Sequence, residues 1–341
     1  MKKVLSIVLI IAVMTGLCAC EGNTPKPEEK ILKTVLITTV AGLEDLGFND
    51  MAWAGLQRAV KDMGINAEVL VAKTADDYQT LISKAATEGA DLVFTAGYLM
   101  ADAVRSLAGN FPSTRFAVID TSECSGDNVV GITFEEQSAS FLAGVAAALT
   151  TETNTVGFIG GEKSKLIDKF EYGYRAGVKS IDSGIQVLVD YTNDFESAFL
   201  GKVVATEQHR QGADVIYHAA GKCGIGVIEA AGKADFWAIG ADQDQSVIDP
   251  DAVLCSMVKK VDNATYYVIE RLKEQGEFKC GSLNFGMDVD GVGLSDKASN
   301  LTEAAWEIVK EYRALILGGH IAVPVNEKEF EAFQPPVLQE E

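Results

Sequence analysis

Aromatic rings, single carboxylates and glycines recur in this sequence wherever an apolar run gives way to a polar loop. The first such place is Gly42-Leu43-Glu44-Asp45-Leu46-Gly47-Phe48-Asn49-Asp50, directly after the apolar residues 35–40. Others are Gly97-Tyr98 with Asp102, then Asp120, Gly160-Gly161, Phe195, the stretch 219–222, and Asp242. Ring faces can sandwich a flat base, and a carboxylate can accept two hydrogen bonds from a vicinal diol. With the carboxamide of Asn49 added, the set suits a neutral polar ligand carrying a flat ring and hydroxyls. A nucleoside has both parts.

Catalytic and cofactor chemistry find less support. Only His209, His218 and His320 are present, with no H-E-x-x-H and no trio that would hold zinc. Gly157-Phe158-Ile159-Gly160-Gly161-Glu162-Lys163-Ser164 has a carboxylate where a phosphate loop needs the glycine before its lysine. Gly221-Lys222-Cys223-Gly224-Ile225-Gly226 lacks the dinucleotide spacing, and no G-x-S-x-G elbow occurs. A nucleoside hydrolase would need clustered aspartates around a metal, whereas these lie one per loop. The expectation is therefore no catalytic residue, no metal and no cofactor.

Such loops need a scaffold, and the chain supplies one. Short apolar runs at 35–40, 67–72, 91–95 and 115–120 read as strands, with helical patterns at 52–63, 76–88 and 99–110 between them. The same order returns with strands at 155–160, 186–190, 214–218 and 235–240 and helices near 170–181, 197–211 and 224–232. Gly89-Ala90-Asp91-Leu92-Val93-Phe94 is echoed by Gly212-Ala213-Asp214-Val215-Ile216-Tyr217, and 116–120 by 236–242. Two similar α/β lobes follow, each a doubly wound parallel sheet with ligand groups beyond the carboxyl ends of its strands. A long helix at 135–149, another at 259–275 and candidate crossings at 127–132, 253–256 and 283–286 predict a three-crossing hinge. Lobe 1 is assigned residues 34–131 and 253–281, and lobe 2 residues 132–252 and 282–331, with a tail at 332–341.

The 341 residues carry 29 Lys plus Arg against 49 Asp plus Glu, a net charge of −20. That balance argues against nucleic acid, whose phosphates demand a basic face. Lys2-Lys3 precede an apolar run at 4–13 that is too short to span a bilayer and fits a signal peptide over residues 1–19. Leu17-Cys18-Ala19-Cys20 resembles a bacterial lipobox, so Cys20 is the expected lipidation site and 20–33 the tether. The mature chain would be anchored outside the cytoplasmic membrane without spanning it. Cys124, Cys223, Cys255 and Cys280 show no C-x-x-C spacing, and buried thiols are expected of them.

Beyond these patterns, a series of motifs resembles the basic membrane protein, or PnrA-like, family of lipoproteins. Its first-loop pattern G-[IL]-D-D-x-[ST]-F-N matches residues 42–49, with Glu44 and Gly47 as departures. Further matches are Gly97-Tyr98 with Asp102-Ala103, Phe134-Glu135-Glu136-Gln137-Ser138-Ala139, and Phe170-Glu171 with Gly173-Tyr174 and Ala176-Gly177. Ile239-Gly240-Ala241-Asp242-Gln243-Asp244-Gln245, Ser256-Met257-Val258-Lys259 and Asp290-Gly291-Val292 close the series in the family's order. The resemblance implies a type I periplasmic-binding-protein fold and a nucleoside ligand, purine favoured, delivered to an ABC-transporter permease by a monomer. It implies that Phe48 and Phe195 stack on the base and that Asn49 bonds the base edge. Asp120, Asp242 and Lys259 would hold the ribose, and Gly97 and Gly221 would bring backbone close to the ligand. A sugar or autoinducer-like ligand and a surface-antigen role are the other readings.

Overall fold

Lys33–Thr38 (β1) runs Lys-Thr-Val-Leu-Ile-Thr and is buried along almost its whole length, as a parallel strand covered by helices on both faces must be. The structure, a computed structural model, describes residues 31–123, 126–295 and 300–336. The first sheet continues through β2 (Asn66–Val71), β3 (Leu92–Thr95), β4 (Arg115–Ile119) and β5 (Val129–Phe134), and takes a sixth strand, β11 (Gly281–Phe285). Its order is β11-β5-β4-β3-β1-β2, all parallel.

The second sheet is built from β6 (Thr155–Gly160), β7 (Gln186–Tyr191), β8 (Val215–Ala219), β9 (Trp237–Asp242), β10 (Val253–Lys259) and β12 (Val292–Leu294). Its order, β12-β10-β9-β8-β6-β7, repeats the first with each of the five leading strands advanced by five, and only β12 runs antiparallel. The echo in sequence has a local cause. Gly89 and Gly212 follow the helices α2 (Asp77–Thr87) and α6 (Ala198–Arg210) with φ of 80° and 108°. Two residues later Asp91 accepts from Lys33 N, and Asp214 accepts from Glu152 N and Thr153 N. Each carboxylate thus ties a strand start to the neighbouring chain entry.

After its fifth strand each lobe sends the chain across to the other. β5 leads into α4 (Glu136–Thr150), which packs on α5 (Lys165–Ile181) of the second lobe, and β10 leads into α8 (Val261–Gln275), which packs on α1 (Phe48–Met63) of the first. A third crossing follows β11. The assigned boundaries are corrected accordingly. Residues 253–259 belong to the second lobe because they pair with β9, and 282–285 to the first because they pair with β5. A stretch at 127–132, read as linker, is largely β5. Each fifth strand is an apolar run that pairs into its own sheet before the chain can leave, so the crossings fall at its far end.

Close helix packing holds the lobes' interiors. A Cβ on Gly144 would lie 2.0 Å from the Tyr174 carbonyl oxygen, and one on Gly177 the same distance from that of Phe141. The helices α4 and α5 therefore touch backbone to backbone, which explains the small residues along Ala143-Gly144-Val145-Ala146-Ala147-Ala148. Among the described residues no helix is long and apolar enough to cross a membrane.

Candidate ligand cleft

The carboxyl ends of the two sheets face one cavity of about 180 Å³. Phe48, Asn49, Gly97, Asp120, Phe195, Gly221, Asp242 and Lys259 all line it. Groups up to 211 residues apart in sequence are thereby brought together, and none of these eight lies elsewhere. Cys20 is outside the described residues, as is Cys124.

The loop between β1 and α1 is held from within by two carboxylates. Asp45, buried, accepts from Gly47 N at 3.1 Å, Asn49 N at 2.8 Å and Asp50 N at 3.1 Å, and so caps α1. Burial raises its pKa, with the backbone N–H groups opposing. Asp50 accepts from Glu44 N at 2.8 Å and Leu46 N at 2.9 Å. Both Glu44 and Leu46 are left-handed, with φ of 63° and 48°. Asp45 is thus committed to the structure of its own loop.

Asn49 is largely engaged within the protein. Its Nδ2 donates to Thr39 Oγ1 and to Asp45 Oδ2, both at 2.9 Å, and its Oδ1 accepts from Thr39 N at 3.1 Å. Both donors are consumed in fastening the loop to the end of β1. Only one Oδ1 lone pair is left for a base edge.

Glycines lie beside both cleft rings, making room for Phe195 at 161 and in ordinary contact with Phe48 at 97. A Cβ on Gly161 would stand 2.1 Å from Phe195 Cε1, and one on Gly97 would stand 3.8 Å from Phe48 Cε1. Gly221, at φ 54°, lies against the Phe195 carbonyl. Gly221, expected to approach the ligand, thus also seats Phe195.

Asp120 and Asp242 end equivalent strands, and both are left-handed, with φ of 72° and 69°. Their surroundings differ. Lys259 Nζ lies 2.6 Å from Asp120 Oδ1 and 3.2 Å from Glu136 Oε1, and the rings of Phe48, Phe134 and Phe170 surround it at 5.0, 5.1 and 5.7 Å. Burial would lower the Lys259 pKa, but Asp120, Glu136 and Asp242 outweigh it and hold the ammonium charged. Glu136 is bound in turn by Lys169 Nζ at 2.9 Å. The Asp242 carboxylate takes no hydrogen bond among the described residues. Burial pushes its carboxyl up to about 7, opposed by Lys259 and reinforced by Asp120, Asp45 and Glu136.

Several lining residues escaped the sequence reading. Tyr78, Leu166, Asp194 and Glu196 join the cavity from α2, α5 and the β7–α6 loop, and no motif marks them. Tyr98 and Lys222 lay within stretches already read as strand-end loops, Phe170 stood in a quoted motif, and Asp194 and Glu196 flank Phe195, so adjacency was the available signal. Asp194 accepts from Glu196 N and Ser197 N at 2.6 and 2.7 Å, a helix-entry role. In all, six carboxylates and two lysines line the cavity, which disfavours an anion.

His218 points away from the cavity: it packs against α7 (Cys223–Ala234), where a Cβ on Gly224 would overlap its ring. Cys223, Cys255 and Cys280 are unpaired, the first two buried and Cys280 exposed. No group of His, Cys, Asp and Glu among the described residues is arranged to hold a metal ion.

Comparison with known proteins places this architecture. Residues 32–327 match the model of the family described as ABC transporter substrate-binding protein PnrA-like. The CD4+ T-cell-stimulating antigen of Listeria monocytogenes is 36% identical, covering 94% of this chain and 97% of its own. The ABC transporter nucleoside-binding protein BmpA of Lactococcus lactis is 33% identical, covering 95% and 99%. Among solved structures, a solute-binding protein of an Aeropyrum pernix ABC transporter system superposes with a TM-score of 0.80 at 25% identity, covering 88% of this chain and 96% of its own. The family is the substrate-binding component of ABC transporters and not an enzyme. This chain belongs to the PnrA-like family of ABC-transporter substrate-binding proteins.

Proposed function

We propose that this chain captures a nucleoside, purine favoured, between its lobes and delivers it to the permease of an importer. The observation that carries the reading is Asp242, a half-buried carboxylate at the cavity wall with no protein donor to its side chain among the described residues. Hydrogen-bond acceptors left unmet in a cavity are costly unless a ligand meets them. Ribose hydroxyls are donors, and Phe48 and Phe195 line the same cavity from opposite lobes. The name of the Lactococcus lactis relative points the same way. The surplus of lining carboxylates favours the nucleoside over its phosphate.

In this reading Cys20 is lipidated after removal of residues 1–19, and the protein works as a monomer on the outer face of the cytoplasmic membrane. Calorimetric titration of the full chain in detergent with adenosine, guanosine, inosine, uridine, adenine, AMP and glucose tests it. Binding of a nucleoside, weaker binding of adenine and none of AMP are expected. Heat with glucose alone would transfer the assignment to a sugar.

A further inference from the structure

Gln245 opens the short turn after β9, is buried, and does not line the cavity. Its side chain nevertheless crosses to the loop that carries Phe48. Nε2 donates to the Leu46 carbonyl at 2.8 Å, while Oε1 accepts from Ala241 N at 2.9 Å and from His218 Nε2 at 2.8 Å. The two backbone partners fix the amide's orientation, because a peptide N–H only donates and a carbonyl only accepts. His218 must then carry its proton on Nε2. Its Nδ1 accordingly has no hydrogen-bond partner, and burial pushes the imidazole down to about 4.

The amide is also held in place behind. Gln245 N donates to Ser256 Oγ at 3.0 Å, and a Cβ on Gly240 would lie 2.9 Å from both Cβ and Oε1 of Gln245. Leu46, the acceptor, sits in the left-handed region that β- and γ-branched residues occupy only when their surroundings impose it. Asp50 imposes it from within the first lobe, and Gln245 is the partner from the second.

We propose that Gln245 is the closing latch of the binding protein. It is a positioning residue that holds the ligand loop of the first lobe against the second and sets how long a ligand stays, not which ligand is chosen. A bond between lobes exists only when they are together, so it stabilises the closed state alone. Its loss should therefore appear in dissociation rather than encounter. The choice of adenosine as probe rests on the nucleoside reading.

The test uses the full chain carrying Gln245→Glu, which keeps acceptors for Ala241 and His218 but removes the donor to Leu46. Gln245→Met preserves length without polar atoms and replaces the first variant if that one misfolds. Adenosine association and dissociation are followed by stopped flow, and hydrogen exchange of residues 42–50 and 238–247 is measured on the same samples with no nucleoside added. Dissociation about tenfold faster is expected, the effect of one buried hydrogen bond. Association should stay within about twofold, the ratio of adenosine to adenine affinity should hold, and exchange over 42–50 should quicken. Unchanged dissociation with unchanged exchange over 42–50 overturns the latch. Faster exchange confined to 238–247 overturns it as well, since Gln245 then serves its own lobe only. Failure of the unmodified chain to bind adenosine would sink the nucleoside reading instead, and exchange over 42–50 would decide the latch by itself.

Discussion

Asp120 and Asp242 stand at equivalent strand ends, yet Lys259 satisfies one and leaves the other to the cavity. With its carboxyl pushed up to about 7, chiefly by burial, Asp242 keeps a proton that the unfolded chain releases near the ordinary value of 3.8. The cost of burying its charge is absent below that value, grows as pH rises, and is complete above about 7. Ribose hydroxyls would favour the ionised form and expel the proton. Nucleoside affinity should therefore rise up to about tenfold per pH unit below 7 and level off above it. Asp242→Asn should flatten that profile and weaken nucleosides far more than free bases, whereas Phe48→Ala should weaken both. Calorimetry between pH 5.5 and 8.5 reads these slopes, and a flat profile in the unmodified chain would remove the ribose role.

At the scale of elements, two glycines make opposite predictions. Gly161→Ala puts a methyl 2.1 Å from Phe195 Cε1, so the ring must leave the cavity wall while β6 remains paired. Nucleoside affinity should fall about ten- to hundredfold, the worth of one base–aromatic stack, with little change in unfolding midpoint. Gly144→Ala instead drives a methyl into the Tyr174 carbonyl, where only backbone can yield. Here stability should drop by roughly 2–3 kcal/mol, with base preference intact. Paired titrations and urea melts on the two variants separate the roles, and loss of stability in the first would mean that Phe195 is a core residue.

Over the whole molecule, Lys259 links the cavity to the hinge. It ends the strand before one crossing, touches Glu136 at the start of the helix after another, and neutralises Asp120 at the cavity wall. Lys259→Met should leave two buried carboxylates facing each other and cost about 3–5 kcal/mol. Adding Glu136→Gln should recover part of it. Urea unfolding followed by far-UV circular dichroism reads both, and an unchanged midpoint in the single variant would show that the cluster is not stabilising.

What could be read without coordinates was local. The periodicity that alternates strands with helices, the repeated Gly-Ala-Asp strand starts and the ordered family motifs all lie within short windows of chain, and from them came the two-lobe fold, the family and eight cavity residues. The leader and Cys20 also rest on local pattern alone. Pairing was not local. Whether residues 253–259 extend one sheet or open the next lobe depends on β9, whose edge decides the partner. That Asn49 spends both its donors on Thr39 and Asp45, that Lys259 chooses Asp120 over Asp242, and that Gln245 reaches Leu46 are likewise set by which atoms packing brings within hydrogen-bond reach. The sequence determined which chemistries were available; only the tertiary structure, by seating the Lys259 ammonium on Asp120 and leaving the Asp242 carboxylate without a protein donor, decided which remain for a ligand.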